Sequence, residues 1–263
     1  MDPIKSRQHP VCKLIRSLGD ARNRRAKKLF VVEGGNGVAA ALRARWPLER
    51  LIVTSSQMGA EWAALGEAVG VSSQTVDADI MEYLCEAQSA PDVLALARLP
   101  QPVAVPPLPE GLTLVIDGIS DPGNVGALIR TADAAGASAV IVTESSADPF
   151  GPKAVRASAG SLFDVPPILF EDAGAQAIAQ YLRSGSIPIA VAVAHEGVDC
   201  FQFHWPRQCA LVMGHETRGV SDVFEAYAAG RVTIPMYGKA ESLNVAAAGA
   251  VLVYAWRNGG GGS

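Results

Sequence analysis

The stretch LTLVIDGISDPGNVGALIRTADAAG, Leu112 to Gly136, decides the fold. Leu112 to Ile116 is an unbroken apolar run of strand length, the pattern of a parallel strand buried on both faces. Asp121-Pro122-Gly123-Asn124 is turn chemistry, with Asn124 placed to cap a following helix. Val125, Leu128, Ile129 and Ala132 then recur at i, i+3, i+4 and i+7, one apolar stripe of a helix, and Arg130 lies off that stripe. A glycine-rich turn between a buried strand and a helix brings backbone N–H groups toward a ligand, so a nucleotide-type site is the first expectation.

The glycines Gly118, Gly123 and Gly126 do not fit G-x-G-x-x-G, and the lack of a Gly-Lys-Ser/Thr ending excludes a P-loop. The stretch resembles instead the first motif of the SpoU class of SPOUT RNA methyltransferases, with Asn124 and Arg130 at that motif's Asn and Arg. LVMGHETRGVS, Leu211 to Ser221, resembles the second motif. Ile234-Pro235-Met236 through Glu241-Ser242-Leu243-Asn244-Val245-Ala246 resembles the third, whose Ser-Leu-Asn opens the last helix. PKAVRASAGSLF, Pro152 to Phe163, also matches the family pattern.

At 263 residues and 49% hydrophobic content the chain is globular, with one large or two modest domains. Its longest apolar runs fall well short of the ~20 residues of a membrane helix, and MDPIKSRQHP lacks the apolar segment of a signal peptide, so a cytoplasmic location is expected. Four scattered cysteines without a C-x-x-C pair suggest neither a zinc site nor a disulfide framework. The net charge is -4, but residues 1–50 hold 12 Lys/Arg against 4 Asp/Glu, leaving 10 against 22 for the remainder. Phosphate contacts are therefore expected at the front of the chain, on Arg22, Arg24, Arg25, Lys27 and Lys28. A solvated basic helix without a ligand is the alternative.

Val11, Leu14, Ile15 and Leu18 open a helical segment over 11–28, and strands and helices then alternate up to Val93-Leu94-Ala95-Leu96. Residues 1–98 form a small α/β unit on this pattern. The five prolines in LPQPVAVPPLPEG, residues 99–111, predict an extended, semi-rigid connector at a domain boundary. From 112 to 258 the alternation resumes, predicting a mainly parallel sheet with helices on both faces. The terminal GGGGS, 259–263, is a low-complexity tail. In RNRRAKKLFVVEG, Arg22 to Gly34, and APDVLAL, Ala90 to Leu96, the first unit resembles the RNA-recognition domain of many SpoU methyltransferases. The whole resembles the avilamycin-resistance type of large-subunit rRNA 2'-O-methyltransferase. Asn36 departs from the Arg often found there.

The resemblance implies transfer of a methyl group from S-adenosyl-L-methionine to a ribose 2'-hydroxyl of RNA, most directly ribosomal RNA, by a homodimer whose second domain is threaded into a trefoil knot. It implies Asn124, Arg130, Glu216, Ser242 and Asn244 as catalytic-site residues, Gly214, Ile234, Met236 and Leu243 as cofactor contacts, and no metal. Read singly, Asn124 is also a plain helix cap, and Arg130 a solvated helix residue. Glu216, Ser242 and Asn244 can equally satisfy backbone at helix starts. A guanidinium with a pKa above ~12 is a poor base, so Arg130 suits a phosphate clamp with electrostatic support. The apolar last helix, with Val251, Leu252, Val253, Tyr254 and Trp256, offers surface for a second copy. Rival readings are a non-catalytic RNA-binding paralogue, a tRNA 2'-O-methyltransferase, and a dinucleotide-dependent oxidoreductase using Glu144 as its ribose-binding acid. His195-Glu196 and His215-Glu216 lack the spacing of H-E-x-x-H.

Overall fold

The computed structural model describes residues 3–86, 89–107 and 109–261. Parts of the expected recognition domain (1–2, 87–88), connector (108) and tail (262–263) lie outside them. The chain splits into two compact units, Met1–Pro100 with Phe150–Asp164, and Gln101–Pro149 with Val165–Ser263.

The first unit runs α1 (Pro10–Ser17), α2 (Ala21–Lys27), β1 (Leu29–Glu33), α3 (Gly35–Arg43), β2 (Leu48–Thr54), α4 (Gln57–Ala68), β3 (Ser73–Val76), α5 (Ala78–Leu84) and β4 (Val93–Arg98). The single helical segment expected over 11–28 is two helices. Leu18 closes the first, and the Asp20 carboxylate caps the second by accepting from the Arg22 N–H at 2.8 Å. The sheet order is β1-β4-β2-β3, with β4 antiparallel to both neighbours and β3 parallel to β2. Ile15, Leu18, Val31, Ile52, Ile80, Met81 and Leu94 fill its core.

The chain continues through β5 (Leu112–Ile116), α6 (Pro122–Ala134), β6 (Ala139–Val142), α7 (Pro152–Ala157), α8 (Ser161–Asp164), β7 (Pro167–Ile168), α9 (Ala175–Ser184), β8 (Ile189–Ala192), β9 (Val198–Asp199), β10 (Cys209–Met213), α10 (Asp222–Ala226), β11 (Gly230–Thr233) and α11 (Val245–Trp256). Here α7 and α8 belong to the first unit, so the contiguous 112–258 domain expected from the sequence is interrupted. Phe30 meets Phe150 at 5.0 Å between ring centroids and stacks on Phe163 at 6.3 Å, and Arg156 reaches Glu33 at 3.0 Å. α7 stops at Ala157, ahead of Ala159 and Gly160, which both turn left-handed.

In the second unit all the pairings of the seven-stranded sheet, ordered β7-β6-β5-β10-β8-β11-β9, are parallel. All five residues of β5 and of β10 are buried, which is why both read as unbroken apolar runs. The chain goes from β5 outward to β6 and β7, crosses to β8 and β9, and then inserts β10 between β5 and β8. That reversal is a topological switch point, and ligands in open parallel sheets bind beyond the strand C-termini at such a place. The α6 stripe of Val125, Leu128, Ile129 and Ala132 is buried, and α11 packs against it so closely that a Cβ on Gly249 would fall inside contact distance of Leu128. Leu252, Val253 and Trp256 are consequently core. Of the surface expected for a second copy, Tyr254 is exposed and Val251 half-buried. The connector is held from Gln101 onward by the second unit: Val103 bridges to Phe170, and the Tyr181 hydroxyl donates to the Pro107 carbonyl at 2.8 Å. No helix among the described residues is long and apolar enough to cross a membrane.

Candidate active site

The loop leaving β10 is the central element. A Cβ on Gly214 would lie 2.5 Å from the Gly219 carbonyl oxygen and closer still to the Gly219 carbon and the Val220 nitrogen, so glycine is required there by space. His215 and Gly219 exchange two backbone hydrogen bonds of 2.9 Å, closing a tight hairpin that holds Glu216 near its tip. Inside the hairpin His215 Nδ1 accepts from the Thr217 N–H at 3.1 Å. The far side is anchored by Asp117, buried at the end of β5, whose carboxylate accepts from the Ser221 N–H at 2.7 Å.

Asn124 is not the cap of α6. Asp121 takes that role, accepting from the N–H groups of Gly123 and Asn124 with Pro122 in the first helical turn. The Asn124 side chain is thereby left for the site, where its Nδ2 donates to Glu216 Oε1 at 2.8 Å and its Oδ1 accepts from Asn244 Nδ2 at 3.3 Å. Asn244 in turn caps α11, its Oδ1 accepting from Ala246 at 2.9 Å and Ala247 at 3.4 Å. The amide orientations follow from this arrangement. The helix N-terminus takes the Asn244 oxygen, so its nitrogen faces Asn124, which must answer with oxygen and give its own nitrogen to the carboxylate. Residues from all three sequence motifs thus form one polar chain, Glu216–Asn124–Asn244.

Beside it opens a chamber of about 540 Å³ lined by the loops that follow β8, β10 and β11. Gly214, Glu216, Ile234, Met236, Ser242 and Leu243 all line it. His195, Glu196, Arg218 and Glu241, in loops that follow strands at the switch point, line it too, as do Glu225 of α10 and Arg231 of β11. Arg130 is not in the chamber wall. It is exposed on α6, six residues beyond Asn124, which places it about 9 Å further along the helix and about 120° round it. Glu144, the acid of the oxidoreductase reading, follows β6 and does not line the chamber.

In the basic segment Arg24 turns inward. It is 3% exposed, and its Nη1 donates to the carbonyls of Leu18 and Gly19 at 2.7 and 2.9 Å, satisfying the end of α1. Its role is structural, whereas Arg22, Arg25, Lys27 and Lys28 are exposed. Burial pushes the Cys209 thiol up to about 12, and burial with the Glu33 charge does the same for Cys85. These two cysteines are inert thiols rather than nucleophiles. No cluster of three or more metal-ligating side chains occurs among the described residues.

A parallel sheet with a nucleotide-sized chamber and a polar chain at its switch point is the architecture of a ligand-binding α/β protein. Comparison with known proteins narrows the class. The model described as "SpoU rRNA Methylase family" matches residues 111–254, and that described as "Thiostrepton-resistance methylase, N terminus" matches residues 1–110. The chain belongs to the SpoU rRNA methylase family. The 23S rRNA (uridine(2479)-2'-O)-methyltransferase of Streptomyces viridochromogenes is 32% identical over 90% of this chain and 85% of its own length. The 23S rRNA (guanosine(2553)-2'-O)-methyltransferase of Bacillus subtilis is 27% identical over 97% and 98%. Among solved structures, the SpoU methyltransferase AviRb of Streptomyces viridochromogenes in complex with AdoMet superposes with a TM-score of 0.83 at 26% identity, covering 95% of this chain and 98% of that one. The AdoMet-bound rRNA methyltransferase of Sinorhizobium meliloti gives 0.86 at 26%, covering 98% and 97%.

Proposed function

We infer that the chain is an S-adenosyl-L-methionine-dependent methyltransferase acting on ribose 2'-hydroxyls of large-subunit ribosomal RNA. The observation that carries this reading is the Glu216–Asn124–Asn244 chain at the edge of the chamber, because it ties the family's three motifs into one site. The residues present fit the cofactor. Glu196, Glu216, Glu225 and Glu241 outnumber Arg218 and Arg231 on the wall, an acidic excess that suits a ligand of net positive charge, while Met213, Val245 and Leu252 offer apolar surface to a flat base. When bound, the cofactor supplies an electrophilic methyl group with a neutral thioether as its leaving group.

Gly214, Ile234, Met236 and Leu243 supply the cofactor contacts. Glu216 and Asn244 hold Asn124 from both ends, so that its position beside the chamber is set before substrate arrives. Ser242 faces the RNA. Arg130 clamps an RNA phosphate and supports negative charge developing on the 2'-oxygen, with Arg22, Arg25, Lys27 and Lys28 meeting the phosphate backbone elsewhere. A homodimer formed through the exposed edge of α11, including Val251 and Tyr254, completes the reading together with a trefoil knot in the second unit and a cytoplasmic place of work. The return of α11 from β11 to α6, past β8 and β10, supports the knot.

Arg130→Ala tests the assignment, since the residue is exposed and lies outside the chamber. Single-turnover methylation of ribosomal RNA is expected to fall by roughly 10²-fold, with cofactor affinity by calorimetry and Tm unchanged. Methylation within a few-fold of the parent would remove Arg130 from the mechanism. A parent protein that binds ribosomal RNA yet never methylates it would favour the non-catalytic paralogue, and a stable monomer by light scattering would reject the dimer.

A further inference from the structure

Five non-glycine residues among those described have a left-handed backbone: Lys28, Arg45, Ala159, Ser186 and Glu196. Four of them close helices, following α2, α3, α7 and α9, where one left-handed residue is the ordinary way for a helix to stop. Glu196, at φ 58°, follows a strand, β8, and its long side chain has none of the local hydrogen bonding that lets Asn or Asp tolerate this region. The next residue, Gly197, is packed closely beside β11: a Cβ there would meet Val193 Cγ2 at 2.8 Å and Thr233 N at 2.9 Å. Glycine would relieve the conformation at position 196, yet the position carries a glutamate, and that residue lines the chamber. Backbone strain kept at a ligand-facing position points to function.

We propose that Glu196 binds the ribose of the cofactor, its two carboxylate oxygens accepting from the 2'- and 3'-hydroxyls. This rests on the reading that S-adenosyl-L-methionine occupies the chamber. The chemistry is that of an acid beyond the C-terminal end of a parallel strand, within reach of a ribose at the switch point. β8 satisfies that placement, lying next to β10 and its Gly214 loop, whereas Glu144 after β6 does not. A diol presents two donors at the spacing of a carboxylate's two oxygens, and ionised acceptors make the stronger hydrogen bonds.

The test is calorimetry of parent, Glu196→Gln and Glu196→Gly with S-adenosyl-L-methionine, S-adenosyl-L-homocysteine and 5'-methylthioadenosine, alongside thermal melts. Glu196→Gln is expected to raise Kd about tenfold for all three ligands, because all three carry the ribose and only the first has a sulfonium. Glu196→Gly is expected to weaken binding as much while raising Tm by about 2 °C, through release of the left-handed strain. Affinities within twofold of the parent would overturn the proposal. Weakening confined to the two ligands with an amino-acid arm, with methylthioadenosine unaffected, would move Glu196 to the ammonium and overturn it as well. A parent that binds none of the three would overturn the assignment of the chamber itself, and the ribose contact with it.

Discussion

Gly214→Ala adds one methyl group at the most crowded backbone position of the site. The new Cβ would lie 2.5 Å from the Gly219 carbonyl oxygen, where 3.4 Å is ordinary contact, so the 215–219 hairpin must retreat by about 1 Å. The obstruction is backbone on both sides, and no side-chain rotation can relieve it. Overpacking of this kind costs about 1–3 kcal/mol, which for a chain of this size lowers Tm by about 2–10 °C. The functional effect should be larger, because Glu216 rides on the displaced hairpin and its 2.8 Å hydrogen bond to Asn124 cannot survive such a shift. A misplacement of about 1 Å at a positioned group can reduce turnover roughly 10²-fold. Thermal melts, cofactor calorimetry and single-turnover methylation would be read together, with Gly238→Ala as the control, since a Cβ on Gly238 meets nothing within 4 Å. A Gly214→Ala protein with parental Tm, Kd and turnover would refute the close approach and the role given to the hairpin.

Arg24→Ala should cost about 2–3 kcal/mol, seen as a lowered Tm, because it removes a buried guanidinium and strips the Leu18 and Gly19 carbonyls of their donor. Arg25→Ala, one residue away and exposed, should leave Tm unchanged but weaken RNA binding and reduce its salt slope by about 1; equal effects from the two would sink the distinction. Cys209 gives a pH signature. Its folded pKa is raised from 9.0 to about 12, so the protonated form favours the folded state, and the stability it contributes is full below about 9 and lost as pH climbs toward 12. The parent should therefore lose Tm more steeply than Cys209→Ala between pH 9 and 11, and parallel curves would contradict the burial of the thiol.

How much of this was legible in the sequence depends on whether the signal was local. β5 and β10 were readable because a strand buried on both faces needs no partner to declare itself, and the α6 stripe because its period is set by its own geometry. The cap of α6 lies three residues before the Asn124 that the turn chemistry suggests. Asp121 and Asn124 have the same capping chemistry, and the choice falls to Pro122, which belongs just inside a helix and so makes its predecessor the cap. Arg24 was hidden for a different reason. A run of basic residues gives composition, while the inward face of a two-turn helix is fixed only when its neighbour α1 is in place. The segment 150–164 has good local patterning, but no local pattern says that Phe150 and Phe163 will pack on Phe30.

The site shows the same division between local and non-local information. Each motif marks its own residue, but none says that Asn124 is oriented by Asn244, because the capping demand of α11 is passed on through an amide 120 residues earlier in the chain. The direction of that relay matters chemically. Helix N–H groups fix the Asn244 oxygen, Asn244 fixes the Asn124 oxygen, and Asn124 ends by presenting its N–H to the carboxylate of Glu216. An acceptor-only side chain at 124 would oppose Glu216, and a donor-only one would clash with the Asn244 amide. An amide satisfies both neighbours at once. The Asn of the first motif is therefore explained by its two neighbours in the other motifs, and Asp121, by taking over the cap, leaves that amide free for them.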